Sequence, residues 1–256
     1  MATYFVNTNS VVRKIWGKAD TILFIFGGAS AEFALNKSVD WLYFTGKLPS
    51  DPLGRLFSTV SYSRQILFSE YDAALRSIDQ ITAIHRSVEA SRGAQIPDDA
   101  YLDVLYLLID YSIRSYELLE RPLTEAEKEE VFEVFYRVGK RMALKGLPQN
   151  YPDWIIQREE QLGYNLYRGN LTRDLYLQYK KHLGIIRFHL LKQAQLLVVP
   201  PRVSKLLGLG NVRWLLPVLY IYKFFRLLRL QSLLKNAVLP PAYVSQVKAM
   251  DTAPNS

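Results

Sequence analysis

Apolar side chains recur every three or four residues through nearly the whole chain, and this period constrains the fold more than any other feature. In residues 71–90, Leu75, Ile78, Ile81 and Val88 fall on one side of a helix. Arg76, Asp79, Arg86 and Glu89 lie mostly on the other. The same period returns in residues 20–36 (around Gly27 and Gly28), 55–68, 99–119, 124–142, 153–167 and 172–197. It appears once more, interrupted by Pro217, in residues 214–235. No alternating run suits a strand, and no segment repeats another. The pattern predicts an all-α chain: one multi-helix domain with a globin-like helical core and a basic, apolar C-terminal helical extension. Its 256 residues, 49% of them hydrophobic, can supply one large core.

Punctuation between the periodic segments sets the expected boundaries. Pro, Gly, Ser and Asp make residues 47–54 a turn, and a loop fills residues 91–99, with Asp98 or Asp99 capping the next helix. Thr124 with Glu127 three residues on reads as a capping box. Val131, Val134, Phe135, Val138 and Met142 carry the buried face of the helix that follows, which Gly146 and Pro148 should stop. Pro200 and Pro201 end the long helix before them.

Several chemistries are excluded at once. The chain has no cysteine, so disulfides, iron–sulfur clusters, thiolate-ligated haem and cysteine nucleophiles are ruled out. GLGNVR at 208–213 lacks the third glycine of a dinucleotide fingerprint and follows no strand. The N-terminus shows no signal-peptide pattern, and no stretch of about eighteen apolar residues is free of charge. The expectation is a cytoplasmic protein, peripheral on a membrane at most.

The net charge of +8 is unevenly placed. Residues 175–250 contain no Asp or Glu and twelve Lys and Arg. In residues 213–235, Lys223, Arg226 and Arg229 recur among aromatic and leucine side chains. Two readings stay open: a helix lying on an anionic membrane surface, or a core helix whose cations snorkel outward. Nucleic acid is not expected, because its binders seldom present so much aliphatic surface.

Of the three histidines, His85 falls on the apolar stripe of residues 71–90, so its imidazole should face the core. Such an imidazole either satisfies itself with a hydrogen bond or ligates a metal. His182 and His189, two turns apart on one helix, cannot chelate one ion and read as structural or surface residues. Asp110, inside LYLLIDYSI, must be paired or neutral. A buried salt bridge to an arginine of another helix and an acid–base role are its two readings. Arg55 and Thr59 share a helix face one turn apart.

The order GGASAEFALNKSVDWLYFTGKLPSDPLGRLFSTVSY, IDQITAIHRSVE, YLDVLYLLIDYSIRSYE and RMALKGLP resembles the MpaB and rubber-oxygenase (latex clearing protein) catalytic-domain family over about residues 20–200. The resemblance implies an all-helical domain that binds haem b through one histidine and cleaves carbon–carbon double bonds of isoprenoid chains with dioxygen. It implies His85 as the iron ligand and Arg55 and Thr59 as pocket and catalytic residues. Two places depart from the family pattern. Asn36 and Lys37 stand where many relatives carry a His-Pro pair, and Asp103, Val104 and Leu105 where many carry Trp-Val-His. The implied organisation is an N-terminal segment (1–19), a haem-binding helical domain (20–200), basic amphipathic helices packed on it (201–239) and a disordered tail (240–256). The implied function is a haem b-dependent oxygenase acting on a hydrophobic, unsaturated isoprenoid or lipid-like substrate. The alternatives are a non-catalytic haem or apolar-ligand binder and a membrane-associated assembly factor.

Overall fold

A computed structural model describes residues 3–46 and 50–227. Among them are eleven helices and no strand, only two isolated bridges, Tyr4–Glu70 and Asn36–Leu166. The helices are α1 (Val11–Trp16), α2 (Ala19–Phe33), α3 (Val39–Phe44), α4 (Pro52–Phe68), α5 (Tyr71–Arg92) and α6 (Asp98–Leu119). There follow α7 (Glu125–Arg141), α8 (Tyr151–Tyr164), α9 (Asn170–Val198), α10 (Pro201–Leu207) and α11 (Leu215–Leu227).

The centre is the pair α2 and α6, the most extensive helix–helix contact among the described residues, with α9 laid against both. α2 is buried on nearly every side, as its lack of a polar stripe demands. Gly28 makes the closeness possible: a Cβ there would collide with the ring of Tyr111 on α6 and lie 3.0 Å from Val198 Cγ2 on α9. Around this pair α1 and α7 close one side. Trp16 is wholly buried and its Nε1 donates to Ser112 Oγ at 3.0 Å. The main core runs from Phe5 through Val203, Leu207 and Leu209, so α10 contributes to it. α11 packs through Leu215 and Leu219 on Leu119 of α6 and on Leu190, Ala194 and Leu197 of α9.

A buried ionic cluster ties three helices. Arg158 of α8 donates to Glu32 Oε2 of α2 at 2.7 Å and to Asp110 Oδ2 of α6 at 2.8 Å. Arg114 Nε donates to Asp110 Oδ1 at 2.6 Å, and the Tyr111 hydroxyl donates to Glu32 at 2.8 Å. Two carboxylates meet two guanidiniums, so the formal charge cancels and each buried ion has partners. Burial pushes the Asp110 carboxyl up, but the Arg158 and Arg114 cations override it and hold it below the usual carboxylate range. Asp110 is therefore a structural ion-pair residue, with one of its arginines from another helix, as its apolar surroundings require.

Several boundaries differ from the sequence expectation for local reasons. α4 begins at Pro52, not Arg55: proline suits the first helical turn, and Asp51 caps it by accepting from Gly54 N at 2.8 Å. Asp98 and Asp99 do not cap α6; Pro97 holds the cap position and the two acids occupy the first turn, where the helix dipole favours them. α7 ends at Arg141, before Gly146 and Pro148, and Ala143 takes a left-handed φ of 57°. Its start is as expected, with the Thr124–Glu127 box in place. α8 starts at Tyr151, capped by Asn150, and ends at Tyr164. α9 carries a kink at Gly184, whose φ of 73° no other residue type adopts readily. Pro217 does not interrupt α11: it lies in the first turn, where its missing N–H breaks no helical bond. Residues 47–49 of the expected turn, residues 228–235 of the basic helix and the tail expected from 240 lie outside the described residues. Among the described residues no helix is long and apolar enough to cross a membrane.

Candidate functional site

α4 and α5 pack side by side, which brings Arg55, Thr59 and His85 to one region. Arg55 and Thr59, one turn apart, are joined directly: Arg55 Nη1 donates to Thr59 Oγ1 at 2.9 Å and to Ser58 Oγ at 3.1 Å. Each hydroxyl in turn donates to the Arg55 carbonyl, a pattern that Ser and Thr adopt readily inside helices. The guanidinium is therefore held by neutral oxygens alone, and no carboxylate lies within ion-pair distance of it among the described residues. Burial lowers its pKa for that reason, with only a weak opposing effect from Tyr62.

His85 was expected in the core, and the structure corrects that. Only Ala74, Ser77 and Ile78 of α5 are fully buried; from Ile81 onward the helix is covered on one side at most, and His85 is half-buried. The apolar stripe has the expected direction, but no helix seals its second half. The imidazole leans edge-on against Tyr101 of α6, ring centroids 5.2 Å apart. Its Nδ1 is shut off from solvent and has no hydrogen-bond partner. Glu89 lies one turn away, but its carboxylate accepts from Ile96 N at 2.9 Å and from the Tyr101 hydroxyl at 3.2 Å. Burial first and the Arg55 charge second lower the His85 pKa, against a weaker upward pull from Glu89. The result is a neutral imidazole, the form that binds metals.

Tyr101 and Glu89 were not singled out in the sequence. Nothing local marks them, because their role comes from the approach of α6 to α5. His182 and His189 are exposed on α9, remote in sequence from His85 and joined to no ligand set. Among the described residues no three of His, Cys, Asp and Glu converge as a metal site.

A second polar cluster lies on the α2–α6–α8 side. Asp103 is buried and accepts from Asn165 Nδ2 at 3.0 Å and from Asn36 Nδ2. Burial raises its pKa, and the amide donors only partly offset this. Asn36 and Asp103, one residue from each of the two stretches (Asn36-Lys37 and Asp103-Val104-Leu105) that depart from the family pattern, thus touch each other. The pair is held by amides and includes no imidazole.

These residues fit a haem on the donor chemistry alone. A neutral, partly sealed imidazole without a protein partner can bind iron, and a carboxylate-free, half-buried guanidinium favours an anionic group beside it. The family model described as ER-bound oxygenase mpaB/B'/Rubber oxygenase, catalytic domain, matches residues 16–242 of the chain. No curated protein and no solved structure matches it.

Proposed function

The chain belongs to the mpaB/rubber-oxygenase catalytic-domain family, and from that premise we propose an oxygenase that holds haem b through His85 and acts on a hydrophobic, unsaturated isoprenoid or lipid-like substrate. The observation that carries the reading is at the α4–α5 contact: an imidazole whose sealed Nδ1 has no partner, beside a cation held by hydroxyls and no carboxylate. The family description names rubber, a polyisoprenoid, which supports the substrate class.

In this reading His85 supplies the protein's bond to iron. Its depressed pKa keeps the imidazole free of a competing proton near neutral pH. Tyr101, edge-on to the ring, sets its tilt. Arg55 meets a haem propionate, and Thr59 with Ser58 holds the guanidinium so that its rotamer freedom is lost before the cofactor arrives. Haem supplies the activation of dioxygen.

The test is an absorption spectrum of protein expressed with added haem precursor, beside His85→Ala and Arg55→Gln. A Soret band that is lost in His85→Ala and weakened in Arg55→Gln, with oxygen uptake on a polyunsaturated isoprenoid, supports the proposal. A band without oxygen uptake on any such substrate points to a haem-binding protein. No band from folded wild type sinks the haem reading.

A further inference from the structure

α10, α11 and the loop between them form an elbow on the surface. Val203, Leu207 and Leu209 anchor one side of it in the core, and Leu215 and Leu219 anchor the other. The Tyr222 hydroxyl adds a bond to Asp20 Oδ2 at 3.0 Å. What these anchors leave outward is unusual. Val212 is 73% exposed and Trp214 46% exposed, and Val218, Tyr220 and Ile221 continue the apolar surface along α11.

Beside this surface is a cleft of about 420 Å³ whose lining changes character across its width. Leu196, Val199 and Pro201 are apolar; Ser204, Lys205, Asn211 and Arg213 are donors. Lys205 and Arg213 are exposed, and neither has a carboxylate within ion-pair distance among the described residues. None can come from nearby in sequence, because residues 175–250 contain no Asp or Glu. Of the other exposed apolar pairs, Ile155 and Ile156 of α8 have Asp153, Glu159 and Glu160 as neighbours, and Ile185 and Ile186 of α9 lie outside the lining of this cleft.

We propose that this elbow docks the protein on an anionic phospholipid bilayer, with Lys205 and Arg213 receiving a lipid phosphate in the cleft and Val212 and Trp214 entering the interface. Apolar side chains beside unpaired cations match both halves of such a surface: the acyl boundary and the headgroup charge. Tryptophan is suited to that depth, one end apolar and one end wet. The following residues 228–256 bring three further cations before Asp251, so their charge opposes their own settling in the cleft. The inference does not depend on haem or on the reaction.

The experiment is partition of the full chain onto vesicles of phosphatidylcholine alone or mixed with phosphatidylserine, read by co-sedimentation. Binding is expected only with phosphatidylserine, weaker at high salt. Lys205→Gln with Arg213→Gln should reduce it about 30-fold, since each cation near such a surface is worth about fivefold. Val212→Ser with Trp214→Ser should reduce it at low and high salt alike. Both pairs are exposed, and far-UV circular dichroism checks that the fold is kept. Equal partition onto neutral vesicles, or unchanged binding of either double variant, would overturn the proposal. So would loss of binding confined to a variant in which Arg229, Lys235 and Lys248 become Gln. Calorimetric saturation by inorganic phosphate without any vesicle binding would overturn it too.

Discussion

Two adjacent glycines of α2 should respond to the same substitution with opposite signs. A Cβ at Gly28 would overlap the Tyr111 ring and sit 3.0 Å from Val198 Cγ2. The ring cannot swing aside cheaply: Tyr111 is fully buried and its hydroxyl donates to the Glu32 carboxylate at 2.8 Å. Overpacking of this kind costs about 1–3 kcal/mol. Loosening a bond to a charged acceptor adds about 1.5–3 kcal/mol if the ring is displaced. Against this, alanine is about 1 kcal/mol better than glycine inside a helix. With the ring displaced, Gly28→Ala should therefore destabilise by about 1.5–5 kcal/mol. At Gly27 a Cβ meets nothing within 4 Å, so only the helix term remains. Gly27→Ala should stabilise by about 0.5–1 kcal/mol. Urea unfolding of both variants and wild type, with m values checked for constancy, measures the difference. Thermal midpoints should move about 2–4 °C per kcal/mol in a chain of this size. A Gly28→Ala protein as stable as wild type would refute the close approach of α2 to α6, and with it the packing of the central pair.

Arg158→Met should cost about 3–5 kcal/mol in urea unfolding, because it leaves Glu32 and Asp110 buried and short of a cation; Arg141→Met at the exposed Asp79 pair should leave the urea midpoint nearly unchanged, because solvent and salt screen that pair. Thr124→Ala should cost about 1 kcal/mol by removing the side-chain half of the α7 capping box. The folded-state pKa of His85 lies below the ordinary imidazole value of about 6.5, so as pH falls below that value the unfolded chain takes up a proton that the folded site refuses. Stability of the cofactor-free protein should thus fall from pH 7.5 to pH 5.5, and the fall should be smaller in His85→Gln. Equal falls in the two proteins would show that His85 titrates normally.

The helices were legible because their cause is local. The three-and-four period, the Thr124–Glu127 box and the proline and glycine stops act within a few residues, and the chain carries them wherever it is placed. The need of Asp110 for a cation was legible too, since a carboxylate in an apolar run cannot stay unpaired. That the partner is Arg158, 48 positions on, was not. It follows from which face of α8 meets α6. The joining of Asn36, Asp103 and Asn165 is of the same kind, and so is the place of Tyr101 beside His85.

His85 marks where the boundary falls. Its periodicity names the side of α5 on which it lies, and the structure keeps that side. How deeply a side chain is buried depends on what the fold lays over it, and over the second half of α5 it lays little. The same holds for the C-terminal third. Composition alone determined that the region is basic, apolar and free of acid. Only the tertiary structure decided that Leu215 and Leu219 turn into the core while Val212 and Trp214 turn out, because the helices fixing that rotation, α6 and α9, come from distant parts of the chain.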